Sequence, residues 1–238
     1  MTDKLTGAAG REYVANAIRQ ALRSGDLVPG QRLVELDLAE VYGATRGAVR
    51  EALQDLAAED IVEIVPRRGA RIRAVSVEEA VQITECRSAL EQLCARKAAG
   101  RASDEQRAEL RRIGADMRQA VADGAWDAYS ALNQRLHELV IEASGQEVAR
   151  RQLDRLNGPM VRFQFRLALR PGRPAQSLPQ HLAIIDAVAG ADPEAAARAV
   201  AAHLDDVIEQ LRASAAAPRM GRFHTRVSLL SVMFWPEG

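Results

Sequence analysis

The stretch "GATRGAVREALQDLAAED", residues 43–60, decides how the first part of the chain is read. Val49, Ala52, Leu53 and Leu56 recur at i, i+3, i+4 and i+7, the spacing of a buried helical stripe. Thr45 stands where a hydroxyl can cap the first turn, so a helix is expected over about 46–58. Arg46 and Arg50 share another face near its start, with no acid among them until Glu51. Just upstream, residues 34–42 predict a short helix stopped at Gly43. Two helices joined by a three-residue turn around Gly43 and Ala44 have the spacing of a helix-turn-helix.

Outward from this pair, residues 11–24 predict a helix with Val14, Ile18, Ala21 and Leu22 on one face, and "SGDLVPG", residues 24–30, a turn. Downstream the period changes. "IVEIVPRRGARIRAV", residues 61–75, alternates, is rich in Val and Ile, and carries Pro-Arg-Arg-Gly in its middle, which predicts a β-hairpin. Arg67, Arg68, Arg71 and Arg73 lie in or beside its turn, and no acid stands between Ile64 and Ala74. A hairpin after a helix-turn-helix is a wing whose tip can reach phosphates or the minor groove. Arginine at a helix start can bond guanine O6 and N7 together, or neutralise phosphates. The bland reading is a solvated helix and an Arg-rich surface hairpin. The joint placement at one helix start and one hairpin tip favours double-stranded DNA as partner.

Composition constrains the rest. The 238 residues are 47% hydrophobic, enough for a core and against global disorder. Formal net charge is zero, so any case for nucleic acid rests on local clustering. No apolar run approaches a membrane span, and no signal core opens the chain, so a cytoplasmic protein is expected. Cys86 and Cys94 lack a CxxC spacing and are expected to remain free thiols.

From Val77 onward helices are predicted near 77–100, 103–122, 125–143, 146–170, 177–189 and 193–213. Ser103 with Gln106, and Ser177 with Gln180, have capping-box spacing. Asp192 before Pro193 is an N-cap followed by proline, and Gly158-Pro159 should kink its helix. The expected fold is mainly α. A winged helix-turn-helix with a small hairpin fills residues 1–75, and an all-helical bundle of six or seven helices fills residues 76–213. Residues 214–238 form a tail that ends in an apolar run.

Polar residues interrupt the stripes of this second domain. Trp126, Tyr129, Leu136 and Val140 make one stripe, broken by Asn133 and His137 at i, i+4. His181 sits with Ile184, Ile185 and Val188, and His203 with Val200, Leu204, Val207 and Leu211. A buried unpaired imidazole costs about 1–3 kcal/mol. Either each ring is separately hydrogen-bonded, or three helices converge on a divalent ion. Three of four histidines, each on a different helix's apolar stripe, favour the ion. Arg87 lies on the stripe of Ile83, Leu90 and Cys94; it either pairs with Glu91 one turn on or takes a planar anion such as a carboxylate. Arg162 and Arg166 are weaker candidates of the same kind.

The segment "LVPGQRLVELDLAEVYGATRGAVREALQDLAAEDIVEIVPRRGARI" resembles the N-terminal winged helix of the GntR family of bacterial transcription regulators. The resemblance implies that Arg46 and Arg50 contact operator bases or phosphates, that Thr45 contacts a phosphate, and that Gly69 lets the wing tip approach the groove. It departs from the family at Gly47, which removes a side chain from the helix start, and at Leu36, where some members carry arginine. "NQRLHELV", "LPQHLAIIDAV" and "AAARAVAAHLDDVIEQL" resemble the ligand helices of the FCD effector domain of the FadR subfamily. That implies a divalent metal held by Asn133, His137, His181 and His203, and a small carboxylate bound in the same domain, with Arg87 and Arg166 as its candidates. Many members have aspartate where Asn133 stands, so this set lacks one negative charge. Three imidazoles with a carbonyl oxygen suit zinc, nickel or a similar ion better than calcium.

The expected function is a ligand-responsive DNA-binding regulator, a repressor, acting as a homodimer on an inverted-repeat operator and responding to a small organic acid. Two alternatives compete: a metal-stabilised DNA-binding protein without effector, and a metal-dependent hydrolase. The hydrolase lacks an HExxH motif and a well-placed base, so no enzyme is expected.

Overall fold

The computed structural model describes residues 4–66, 69–160 and 172–216. The first domain holds α1 (Gly7–Ser24), β1 (Arg32–Leu33), α2 (Glu35–Val41), α3 (Arg46–Ala58), β2 (Val62–Val65) and β3 (Gly69–Ile72). The strands form one antiparallel sheet in the order β1-β3-β2, with Val62 opposite Ile72, Val65 opposite Gly69, and Leu33 opposite Ala70. The sequence reading held the hairpin but not β1, whose two residues show no alternation to detect.

Helix α3 forms over the expected residues. The Ala48 N–H donates to Thr45 Oγ1, and Val49, Ala52, Leu53 and Leu56 are all buried. Their partners are Val14, Ile18 and Leu22 of α1, Leu38 of α2, and Leu33, Val62 and Ile72 of the sheet. The turn between α2 and α3 passes through Gly43 at φ +59°. It is pinned by the N-terminal segment: the Leu5 N–H donates to Gly43 O at 2.9 Å, and the Thr45 N–H to Leu5 O at 2.9 Å. Gly69 also has a positive φ, +86°, and a Cβ there would stand 2.9 Å from Leu33 O, so β1 can pair with β3 only past a glycine.

The second domain comprises α4 (Val77–Arg101), α5 (Asp104–Ala122), α6 (Trp126–Ser144), α7 (Glu147–Asn157), α8 (Arg173–Ala189) and α9 (Pro193–Ala216), six helices among the described residues. Leu110, Met117, Leu136, Leu139, Ile184, Val188, Val200 and Leu204 form its core. Ser103 and Gln106 make the expected capping box, and Asp192 Oδ1 accepts from the Ala195 N–H. Arg107 ties two helix ends together, donating to Ala99 O and Ala102 O of the α4 end and to Val188 O and Ala189 O of the α8 end.

Two expectations need correction. Ser177 does not cap a helix. Helix α8 begins four residues earlier, behind Gly172 at φ +78°, with Pro174 in its first turn. It then runs through Pro179, whose ring forfeits one helical bond, so Ser177 lies inside the helix and buried. Helix α7 ends at Asn157 in a 3-10 turn over Gly158–Met160; the rest of the predicted 146–170 helix lies outside the described residues, as do residues 217–238 of the expected tail.

Among the described residues, the domains meet at the linker and at the end of α3. Arg73 forms an ion pair with Glu79 across the linker. A Cβ on Gly158 would stand 2.2 Å from Glu59 O, the cap residue at the end of α3.

Candidate functional site

Two constellations carry the chemistry. On the first domain, Arg46 and Arg50 are exposed on α3. Arg50 is not free of acids. Its Nε donates to Glu35 Oε1 at 3.0 Å and its Nη2 to Glu35 Oε2 at 2.7 Å, from the first turn of α2. Glu35 was missed because the relevant neighbour comes from another helix. Arg71 pairs across the strands with Glu63, and Arg73 with Glu79, so acids outside the turn offset two of the hairpin arginines. A Cβ on Gly47 would meet nothing within 4 Å, so the helix start leaves open space there. Arg67 and Arg68 lie outside the described residues, as do Arg162 and Arg166.

On the second domain, α6, α8 and α9 bring His137, His181 and His203 together. Ring centroids stand 5.7 Å apart for His137 and His181, 5.5 Å for His137 and His203, and 4.6 Å for His181 and His203. One possible ligand atom from each ring lies within 4.8 Å of the others. Asn133 stands one turn before His137 on α6, and its Oδ1 is buried with no hydrogen-bond partner among the described residues.

Each ring spends one nitrogen on a partner outside the cluster. His137 Nδ1 stands 3.4 Å from Glu91 Oε2. His181 Nδ1 is 2.8 Å from Tyr129 Oη, and His203 Nδ1 is 3.0 Å from Gln180 Oε1. The bland reading of separately bonded histidines therefore describes half of each ring. His181 Nε2 is buried without a partner among the described residues. Outer-shell oxygens on Nδ1 with the second nitrogen spare is the usual dress of metal-ligating histidine. Glu91, Tyr129 and Gln180 were not singled out as partners of the rings, since Glu91 and Tyr129 come from sequence positions 46 to 52 residues away from the rings they touch. A weak signal existed for Gln180, adjacent to His181, and for Ser177 at i−4 to it.

Burial keeps two of the rings, His181 and His203, uncharged. Burial, then the neighbouring rings, hold His181 well below the usual imidazole range; burial and His137 lower His203 to about 3. Their lone pairs are therefore available at neutral pH. Burial opposes ionisation of Glu91, yet Arg87 and His137 outweigh it and hold the carboxyl at about 2. Arg87 is buried, donating from Nε and Nη2 to Glu91 Oε1 at 3.1 and 2.7 Å. The i, i+4 pairing left open by the sequence is thus made. Arg173 pairs with Asp206 nearby. Three converging imidazoles, with Asn133 Oδ1 and His181 Nε2 both buried and without a partner among the described residues, fit a divalent ion of the zinc or nickel type.

No helix among the described residues is long and apolar enough to cross a membrane. The family model "Bacterial regulatory proteins, gntR family" matches residues 11–72, and the FCD domain model matches residues 82–206. The chain is 26% identical over 186 residues to the HTH-type transcriptional repressor RspR of Escherichia coli, covering 78% of this chain and 82% of that protein. It is 26% identical over 223 residues to the HTH-type transcriptional repressor NanR of Cronobacter sakazakii, covering 82% and 83%. Its fold matches the solved structure of E. coli McbR/YncC with a TM-score of 0.74 at 21% identity, over 88% of this chain and 100% of that one. RspR and NanR are named repressors and the matched family is one of regulatory proteins, which sets the hydrolase alternative aside. The FCD match alone spans more than half of the residues, and with the winged helix ahead of it the chain belongs to the gntR family of bacterial regulatory proteins and carries an FCD domain.

Proposed function

We propose that this protein is a transcriptional repressor that grips an inverted-repeat operator as a homodimer through residues 1–75 and reads a small organic acid through residues 76–213. In this reading Arg46 and Arg50 address the major groove, Thr45 a phosphate, and Arg67, Arg68 and Gly69 the wing's approach to the duplex. A divalent metal, zinc, nickel or a similar ion, would be held by His137, His181, His203 and the oxygen of Asn133. A carboxylate effector would bind in the same domain, with Arg87 and Arg166 as its candidate partners. When bound, the ion would supply a fixed positive charge favouring a carboxylate; the three rings would hold it and the apolar stripes around them exclude water. Ligand binding shifts the population between two arrangements of the winged helices, by no more than its differential affinity for them. The observation that carries this reading is the convergence of three imidazoles from three helices, each with one nitrogen already engaged from outside. The repressor names of RspR and NanR support the sign of regulation.

A second reading, a metal-stabilised DNA-binding protein without effector, is favoured by one observation: Arg87 is already satisfied by Glu91. Calorimetry of the zinc-loaded protein against a panel of small mono-, di- and tricarboxylates separates the two. Heat of binding from one of them, with a matching change in operator affinity by gel shift, supports the sensor. No heat from any of them supports the second reading.

A further inference from the structure

The Nδ1 partner of His181 is itself held in a directed chain. The Ser177 hydroxyl stands 3.0 Å from Arg173 O, a carbonyl that can only accept, so the serine proton has an acceptor there. Tyr129 Oη is 2.8 Å from Ser177 Oγ; with the serine proton on the carbonyl, the phenol donates to it. Having spent its one proton, Tyr129 Oη can only accept from His181 Nδ1, 2.8 Å away. The neutral ring then carries its hydrogen on Nδ1 and a bare lone pair on Nε2. The reversed order of donors puts the hydrogen on Nε2, which is buried and has no acceptor among the described residues. Tyr129 and Ser177 are themselves buried, so bulk water does not compete for these bonds.

We propose that Tyr129 and Ser177 are positioning residues of the imidazole cluster: a hydroxyl relay, anchored on the Arg173 carbonyl, that fixes His181 as the Nδ1–H tautomer and frees Nε2 to bind a divalent cation. The cation part rests on the metal reading proposed above; the tautomer part does not. The same logic runs through His203, whose Nδ1 meets the Gln180 amide oxygen, so two of the three rings have their tautomer set by hydrogen-bond direction. The role of Ser177 follows from its place inside α8 one turn before His181, where an N-cap serine would have been spent on the helix end.

The test is nitrogen-15 NMR of the histidine rings in the metal-free full-length protein at neutral pH, with zinc titrated against a chelating dye. In the wild type, His181 is expected to show a protonated Nδ1 and a bare Nε2; a protonated Nε2 overturns the relay. Ser177→Ala releases the Tyr129 proton toward Nδ1, so the ring is expected to shift to the Nε2–H form, and zinc affinity to fall about ten- to hundredfold. Tyr129→Phe removes the acceptor and is expected to lose zinc affinity to a similar extent, with a mixture of tautomers. Wild-type protein that takes up no zinc overturns the metal reading on which the cation part rests. Wild-type protein that takes up zinc while both variants do so equally overturns the positioning role alone.

Discussion

Glu91 of α4 sets Oε2 3.4 Å from Nδ1 of His137 on α6, while its other oxygen takes two hydrogen bonds from Arg87. One buried carboxylate thus serves both the arginine proposed for the effector and a ring of the proposed metal site. Removing it strands Arg87 as a buried, unpaired charge. Glu91→Ala is therefore expected to destabilise the protein by about 3–5 kcal/mol. A denaturant titration checks this, and a loss below about 1 kcal/mol would show the pair to be dispensable.

The buried rings predict how stability changes with acid. Burial and the neighbouring rings keep His181 well below 6.5, and burial with His137 keeps His203 at about 3. A group with a depressed folded value gives its full stability above the unfolded value of 6.5 and loses it as the pH falls toward the folded one. The metal-free protein is expected to lose up to about 1.4 kcal/mol per pH unit per ring as the pH falls below 6.5. Urea midpoints at neutral and mildly acidic pH test this. A flat profile, or one unchanged in a His181→Ala, His203→Ala double variant, contradicts it.

Arg50 is exposed and lies off the buried face of α3, held among the described residues by Glu35. Arg50→Ala is expected to weaken operator binding with the fold intact, and to reduce the salt slope by about 0.9 if one phosphate contact is lost. Glu35→Gln frees the guanidinium and is expected to strengthen binding. Gel shifts across a salt series, with circular dichroism as a folding control, check both. Unchanged affinity in Arg50→Ala removes this residue from the interface.

The contact between domains depends on a glycine. A Cβ on Gly158 would meet Glu59 O at 2.2 Å, and Glu59 is in turn gripped by Arg19 of α1. Gly158→Ala is expected to cost about 1–3 kcal/mol or to push the domains apart. Thermal unfolding together with operator affinity reads out either result. A variant indistinguishable from wild type in both means that this contact has no part in holding the domains.

What the sequence made legible follows a physical line. Helix α3 was readable to the residue because its cap, Thr45, and its stripe, Val49, Leu53 and Leu56, are local signals. The histidines were readable because an imidazole on an apolar stripe is out of place. Strand β1 was not, because two residues become a strand only through the partner β3 supplies. The start of α8 was misread because Ser177 and Gln180 have capping spacing and Pro179 suits a first turn, while the features that start the helix are Gly172 and Pro174. Glu35 against Arg50, Glu91 against His137 and Tyr129 against His181 escaped for one reason. Each is a tertiary pairing, 15 to 52 residues apart, and no periodicity within a helix reports it.

Elemental analysis of the purified protein, wild type beside His181→Ala and His203→Ala, tests the central claim most directly. The account predicts one divalent transition-metal ion per wild-type chain and its loss, with a lower melting temperature of the metal-loaded protein, in each variant. Full occupancy in either variant, or a wild-type chain that holds no ion when offered zinc or nickel, contradicts it.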